Sequence, residues 1–206
     1  MKQQRIGIFS GVFDPVHAGH LGFALAAIEK AKLDKVYLLV EAKPRRKTGV
    51  THVAHRLAMA RLAVAHHPTL SILELPDSQF SVAKTLPRLK CLFPKDRLVL
   101  LAGSDMLEHM PDWPLIRQML EQVGLVVGRR HNIAEPVVKQ LITALPTKSK
   151  DIYIITSPSP EAASRNIREA IRHNKDVASA LPSLRNYITD NWLYVAPSAS
   201  SSRSSS

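Results

Sequence analysis

Residues 6–20, Ile-Gly-Ile-Phe-Ser-Gly-Val-Phe-Asp-Pro-Val-His-Ala-Gly-His, constrain this chain more than any other stretch. An apolar run breaks into a Gly- and Pro-punctuated turn, and the turn delivers His17 and His20, three residues apart, onto the start of an amphipathic segment. A buried strand feeding a helix N-terminus makes an anion site, because unpaired backbone N–H groups and the helix dipole both face the ligand. Two imidazoles at spacing i, i+3 lie on one helix face. Gly19 between them admits a close approach by a ligand or another backbone.

The rest of the chain repeats the strand-then-helix pattern. Arg5 to Phe9, Lys35 to Val40, Leu70 to Leu73, Arg97 to Ala102, Val123 to Val127 and Asp151 to Ile155 read as strands. Helical periodicity is expected over Ala18 to Lys32, His52 to His67, Ser81 to Phe93 with an interruption at Pro87, Met106 to His109, Pro114 to Gln122, Glu135 to Leu145, Ala162 to His173 and Ser183 to Asn191. Glu41 to Thr51, with Pro44 and Gly49, reads as a loop. The alternation predicts an α/β fold, an open parallel sheet with helices on both faces. Ligands of such sheets bind beyond the carboxyl ends of the strands, near the switch in strand order. The turn at Ser10 to His20, the basic loop Pro44 to Lys47 and Gly103-Ser104-Asp105 are thus expected to share one rim.

We expect one domain over residues 1–195 and a disordered Ser-rich tail over 196–206. No segment approaches the roughly 20 apolar residues of a membrane span, and the start of the chain is not shaped like a signal peptide. A single cysteine, Cys91, excludes an intrachain disulfide framework and a Cys-rich zinc site, so a reducing cytoplasm is the simplest location. The net charge of +11 favours polyanions. The basic residues are spread without aromatic interleaving, so no nucleic-acid surface and no membrane partner is expected. A homo-oligomer stays open.

Three readings of His17 and His20 compete on the residues alone. They are donors to a phosphate, half of a metal site, or helix caps. His52 and His55 repeat the spacing. No acidic residue stands at ligand spacing and the glycine points to phosphate, so no protein metal site is expected.

These residues also resemble a known family. Gly11-Val12-Phe13-Asp14-Pro15-Val16-His17-Ala18-Gly19-His20 is similar to the G-T-F-D-P-x-H-x-G-H signature of the nucleotidyltransferase superfamily. More narrowly, the chain resembles bacterial nicotinate-nucleotide adenylyltransferases from residue 6 to about 195. Pro44-Arg45-Arg46-Lys47 stands where that family has P-P-H-K, and His55-Arg56-Leu57-Ala58-Met59 is similar to H-R-x-x-M. Gly103-Ser104-Asp105-Met106-Leu107 followed by Trp113 is similar to G-A-D-x-L and its Trp. Leu181 to Ile188 with Leu193-Tyr194 is similar to the closing P-x-x-V-x-x-Y-I and L-Y. Each fragment is weak alone; their order and spacing together are specific.

The resemblance implies a Rossmann-like nucleotidyltransferase fold. It also implies a reaction in which the phosphate of nicotinate mononucleotide attacks the α-phosphorus of ATP and expels pyrophosphate, with Mg2+ accompanying the nucleotide. The attacking oxygen is already ionised, so alignment and charge stabilisation suffice. On this basis His17, His20, Lys47 and Arg168 are the expected catalytic side chains. Ser10, Gly11, Val12, Phe13, Gly19, Gly103, Asp105, Ser164 and Ile167 are expected to meet ATP. Asp14, Arg46, Phe80, Trp113 and Arg129 are expected to meet the second substrate. Asp105 could instead cap the Met106 turn, Trp113 could be core, and Arg129-Arg130 could be a solvated pair.

The chain departs from the family pattern in places. The I-S-S-T-x-I-R motif appears as Ala162-Ala163-Ser164-Arg165-Asn166-Ile167-Arg168, and Val12 replaces the signature threonine, with Ser10 the nearest substitute hydroxyl. Gln79-Phe80-Ser81 only loosely echoes S-Y-T. Other readings are a nicotinamide mononucleotide or phosphopantetheine adenylyltransferase, a cytidylyltransferase, a class I aminoacyl-tRNA synthetase fragment suggested by Lys148-Ser149-Lys150, and a nucleotide-binding regulator without catalysis.

Overall fold

The computed structural model describes residues 2–43, 48–130, 133–156, 163–173, 175 and 180–195. Six strands, β1 (Arg5–Gly11), β2 (Lys35–Val40), β3 (Leu70–Ile72), β4 (Arg97–Gly103), β5 (Gly124–Arg129) and β6 (Ile152–Thr156), form one sheet. Its order is β3-β2-β1-β4-β5-β6 and every pairing is parallel. The helices are α1 (Ala18–Ala31), α2 (Val53–Val64), α3 (Thr85–Leu92), α4 (Ser104–Leu107), α5 (Ile116–Gln122), α6 (Glu135–Thr143), α7 (Ser164–Arg172) and α8 (Arg185–Asp190). This is the Rossmann-like open sheet expected from the sequence.

A strand buried on both faces carries apolar residues at consecutive positions, as Leu98-Val99-Leu100-Leu101-Ala102 of β4 does. The pleat then sorts them. Ile6, Ile8, Leu98 and Leu100 enter one core with Leu107, Met119 and Leu120. Phe9, Val99 and Leu101 enter the other with Phe23, Met59 and Leu184. The chain winds outward from β1 through β2 to β3, returns to β4 beside β1, and winds the other way. The carboxyl ends of β1 and β4 therefore diverge, and loops leaving them open a crevice.

Several element boundaries differ from expectation. Only Thr85–Leu92 of the Ser81 to Phe93 stretch is helical, so Pro87 falls in the first turn, where its missing N–H breaks no helical bond. The helix expected at Met106 begins at Ser104, directly off β4, so the Gly103-Ser104-Asp105 segment is no loop. Residues 44–47, 157–162 and the tail 196–206 lie outside the described residues. Among the described residues no helix is long and apolar enough to cross a membrane.

Candidate active site

The β1–α1 turn sets the site. His17 is the N-cap of α1 with extended backbone, and its N–H donates to Nδ1 of His20 at 3.2 Å. His20, at the third helical position, thus supplies the acceptor that a glutamate supplies in a capping box. A neutral His20 making this bond carries its proton on Nε2. The cap reading of the histidines is therefore realised through His20.

The rings of His17 and His20 stack with centroids 3.7 Å apart and planes at 28°. Phe13 meets His20 edge-on at 4.9 Å. His17 is 6% exposed. Burial first, and the charge of Arg130 second, push its pKa from 6.5 down to about 4. Its buried Nδ1 has no partner among the described residues.

The turn is held from behind by Arg56. It is 1% exposed and donates to the carbonyls of Thr51 (2.7 Å), Val12 (2.8 Å), Glu41 (2.8 Å) and Ala42 (3.1 Å). Asp14, 5% exposed, accepts from the Tyr194 hydroxyl at 2.7 Å and from the Thr51 N–H at 3.3 Å. Burial pushes the Tyr194 phenol well above its ordinary range. From α7, Ser164 Oγ donates to the Pro15 carbonyl at 2.9 Å and Arg168 Nη1 to the Asp14 carbonyl at 2.6 Å. Three segments distant in sequence, residues 51–56, α7 and Tyr194, thereby converge on residues 12–15.

In front of the histidines lies a cleft of about 990 Å3, at the upper end of the roughly 300–1,000 Å3 of small-molecule sites. Of the residues expected in the site, Ser10, Gly11, Val12, Phe13, Asp14, His17, Gly19, His20, Phe80, Gly103, Asp105, Trp113, Ser164 and Arg168 line it. Trp113 and Phe80 form an aromatic wall, with centroids 6.1 Å apart. Asp105 pairs with Arg130 at 3.0 Å instead of capping a helix. A Cβ at position 103 would collide with the Asp105 carboxylate, so Gly103 gives Asp105 its place.

Some expectations need correcting. Arg129 does not line the cleft, because its guanidinium donates to the Ile133 carbonyl and to Thr156 Oγ1. Strand alternation sends the next residue, Arg130, into the cleft instead. Ile167 is 1% exposed and packs in the interior, touching no part of the cleft. The Ser10 hydroxyl donates to Glu41 at 3.0 Å, so its proton does not replace the hydroxyl missing at Val12. Lys47 and Arg46 lie outside the described residues. Sequence reasoning missed Glu41, which lines the cleft, as do Arg165 and Arg130.

The other histidine pair does structural work. His52 Nδ1 accepts from the Ala54 N–H, and His55 Nδ1 shares a hydrogen bond with the Tyr187 hydroxyl at 3.0 Å. Among the described residues no group of three or more His, Cys, Asp or Glu side chains could hold a metal ion. Lys148-Ser149-Lys150 precedes β6, at the amino ends of the strands and away from the cleft, with Ser149 Oγ bonded to the Val123 carbonyl.

The model of the cytidylyltransferase-like family matches residues 8–206. The chain belongs to this family. It is 30% identical to a probable nicotinate-nucleotide adenylyltransferase of Carboxydothermus hydrogenoformans, over 94% of this chain and 100% of that one. It is 29% identical to the nicotinate-nucleotide adenylyltransferase of Bacillus subtilis, over 93% and 98%. Among solved structures, the nicotinic acid mononucleotide adenylyltransferase of Plasmodium falciparum complexed with NaAD superposes with a TM-score of 0.76. That match covers 93% of this chain and 98% of the other at 16% identity, and so speaks for the shared fold. The family's signature turn coincides here with the stacked histidines and the cleft in front of them.

Proposed function

We propose that this chain is an adenylyltransferase that moves AMP from ATP to nicotinate mononucleotide, releasing pyrophosphate and forming nicotinate adenine dinucleotide. One observation carries the reading: a histidine pair at a helix N-terminus and an aromatic pair, Phe80 with Trp113, line one cleft. The first half suits a phosphate chain and the second a flat heteroaromatic ring. The family and the relatives reported above agree with it.

In the reaction a phosphate oxygen of the mononucleotide bonds to the α-phosphorus of ATP, and the bond from that phosphorus to the bridging oxygen of pyrophosphate breaks. The electron pair leaves on pyrophosphate. No proton must be removed, so no general base is needed. His20 Nε2–H is a donor for phosphate oxygens that gain charge, with His17 beside it. Gly11, Val12, Phe13 and Gly19 are assigned to the phosphates of ATP, with Ser164 and Arg168 lining the same cleft. Lys47 is assigned to the phosphate chain by resemblance alone, as Arg46 is to the second substrate. Asp105 is the acceptor for ribose hydroxyls, and Trp113 with Phe80 the platform for the pyridine ring. The ordinary donor set for Mg2+ is carboxylate and water, and the carboxylates of Asp14, Glu41 and Asp105 already hold protein partners. A Mg2+ ion would accompany ATP, where its charge would offset that of the phosphates. One domain over residues 1–195, acting in the cytoplasm, belongs to the same reading.

The test is pyrophosphate release by the purified chain with ATP, Mg2+ and nicotinate mononucleotide. Turnover is expected. Binding of ATP without pyrophosphate release with this or any related mononucleotide would leave a nucleotide-binding protein and no enzyme.

A further inference from the structure

Glu41 belongs to neither set of residues expected in the site, yet it joins both halves of the cleft. Its Oε1 accepts from Ser10 Oγ at 3.0 Å, on the phosphate side, and from the Phe80 N–H at 3.3 Å, on the aromatic side. Its backbone is fixed as well. Its N–H donates to the Gly11 carbonyl at 2.9 Å and its carbonyl accepts from Arg56 at 2.8 Å. The side chain thus has one position, and Oε2 accepts no hydrogen bond from the described residues while the residue lines the cleft.

Among the described residues no salt bridge reaches the Glu41 carboxylate. Arg56 is the buried cation behind it, but its guanidinium bonds carbonyl oxygens, and its charge acts on Asp14 and Glu41 together. Arg130, which also lines the cleft, is paired with Asp105. A ring stacked on Phe80 and Trp113 therefore meets a carboxylate held one hydrogen bond from the Phe80 backbone. A negative substituent on that ring is repelled, whereas an amide substituent offers N–H donors to Oε2.

We propose that Glu41 is a specificity determinant of the aromatic half of the cleft, its charge counting against a carboxylate and in favour of a carboxamide on the stacked ring. The inference rests on the adenylyltransferase reading for the identity of that ring, and concerns the acid-to-amide ratio whichever substrate the chain prefers.

Glu41→Gln isolates the charge. The amide oxygen still accepts from Ser10 and Phe80, so positioning is kept. The ratio of kcat/KM for nicotinate mononucleotide to that for nicotinamide mononucleotide is expected to rise roughly tenfold, the effect of losing one nearby like charge. Glu41→Asp keeps the charge while loosening the bonds, and its ratio is expected to stay within about twofold of the parent. An unchanged ratio in E41Q, or an equal rise in E41D, overturns the proposal. Equilibrium binding of both mononucleotides by calorimetry separates the two claims. If binding affinities shift as described but no pyrophosphate is released, the enzyme reading falls and the role of Glu41 stands. If neither mononucleotide binds, both fall.

Discussion

His17 and His20 lie ring on ring, 3.7 Å between centroids, with the His17 backbone N–H bonded to the His20 ring. Burial, with the charge of Arg130 adding to it, keeps the His17 ring neutral before any ligand arrives. Phosphate oxygens bring the opposite charge, so the pair is poised to gain hydrogen bonds as negative charge grows.

Acid stability should report His17 directly. Its native pKa is lowered to about 4 from 6.5, so between these values the unfolded chain takes up a proton that the native protein refuses. Stability from this group is constant above pH 6.5 and falls as pH drops toward 4, by up to about 3 kcal/mol. Urea unfolding at pH 7, 5.5 and 4.5 should show a steeper loss for the parent than for His17→Asn. Parallel curves would rule out the shift.

His20→Ala removes both the donor and the cap acceptor. We expect turnover to fall about 10²–10³-fold, as when a positioned oxyanion donor is lost. Stability should fall by about 1 kcal/mol for the missing cap. Pyrophosphate release and thermal unfolding measure the two effects separately, and a normal rate would remove His20 from the proposed chemistry.

Arg56→Lys keeps the charge but not the fork that reaches four carbonyls. Stability should fall by about 3 kcal/mol as buried carbonyls lose their donors. Denaturant unfolding checks this. A change below about 0.5 kcal/mol would mean that residues 12, 41, 42 and 51 hold together without it.

Gly103→Ala places a methyl group too close to Asp105 Oδ1, so the exposed carboxylate must swing away from its present position in the cleft. The KM for ATP is expected to rise about tenfold, the worth of one charge-assisted hydrogen bond, with little change in melting temperature. Steady-state kinetics decides, and an unaltered KM would remove Asp105 from ATP binding.

How much of this could be read in the chain depends on how far apart the interacting groups lie. The strand runs and the His17–His20 turn are local patterns, and β4 shows why. A strand covered on both faces has no polar positions to hide it. Arg129 against Arg130 is an error of one residue that only the pleat settles. Glu41 was invisible because its bonds reach residues 31 and 39 positions away, and its surroundings read as an ordinary polar loop. Arg56 stood in a recognised motif, but its task of joining carbonyls at 12, 41, 42 and 51 needs the folded chain.

The bond from Tyr194 to Asp14 spans 180 residues. During synthesis Ser164, Arg168 and then Tyr194 follow both histidines by more than a hundred residues. A nascent chain that has reached only β6 holds the histidine pair on a turn without those anchors. The turn that carries the histidines is therefore fully anchored only once the segment bearing Tyr194 has been made and has docked.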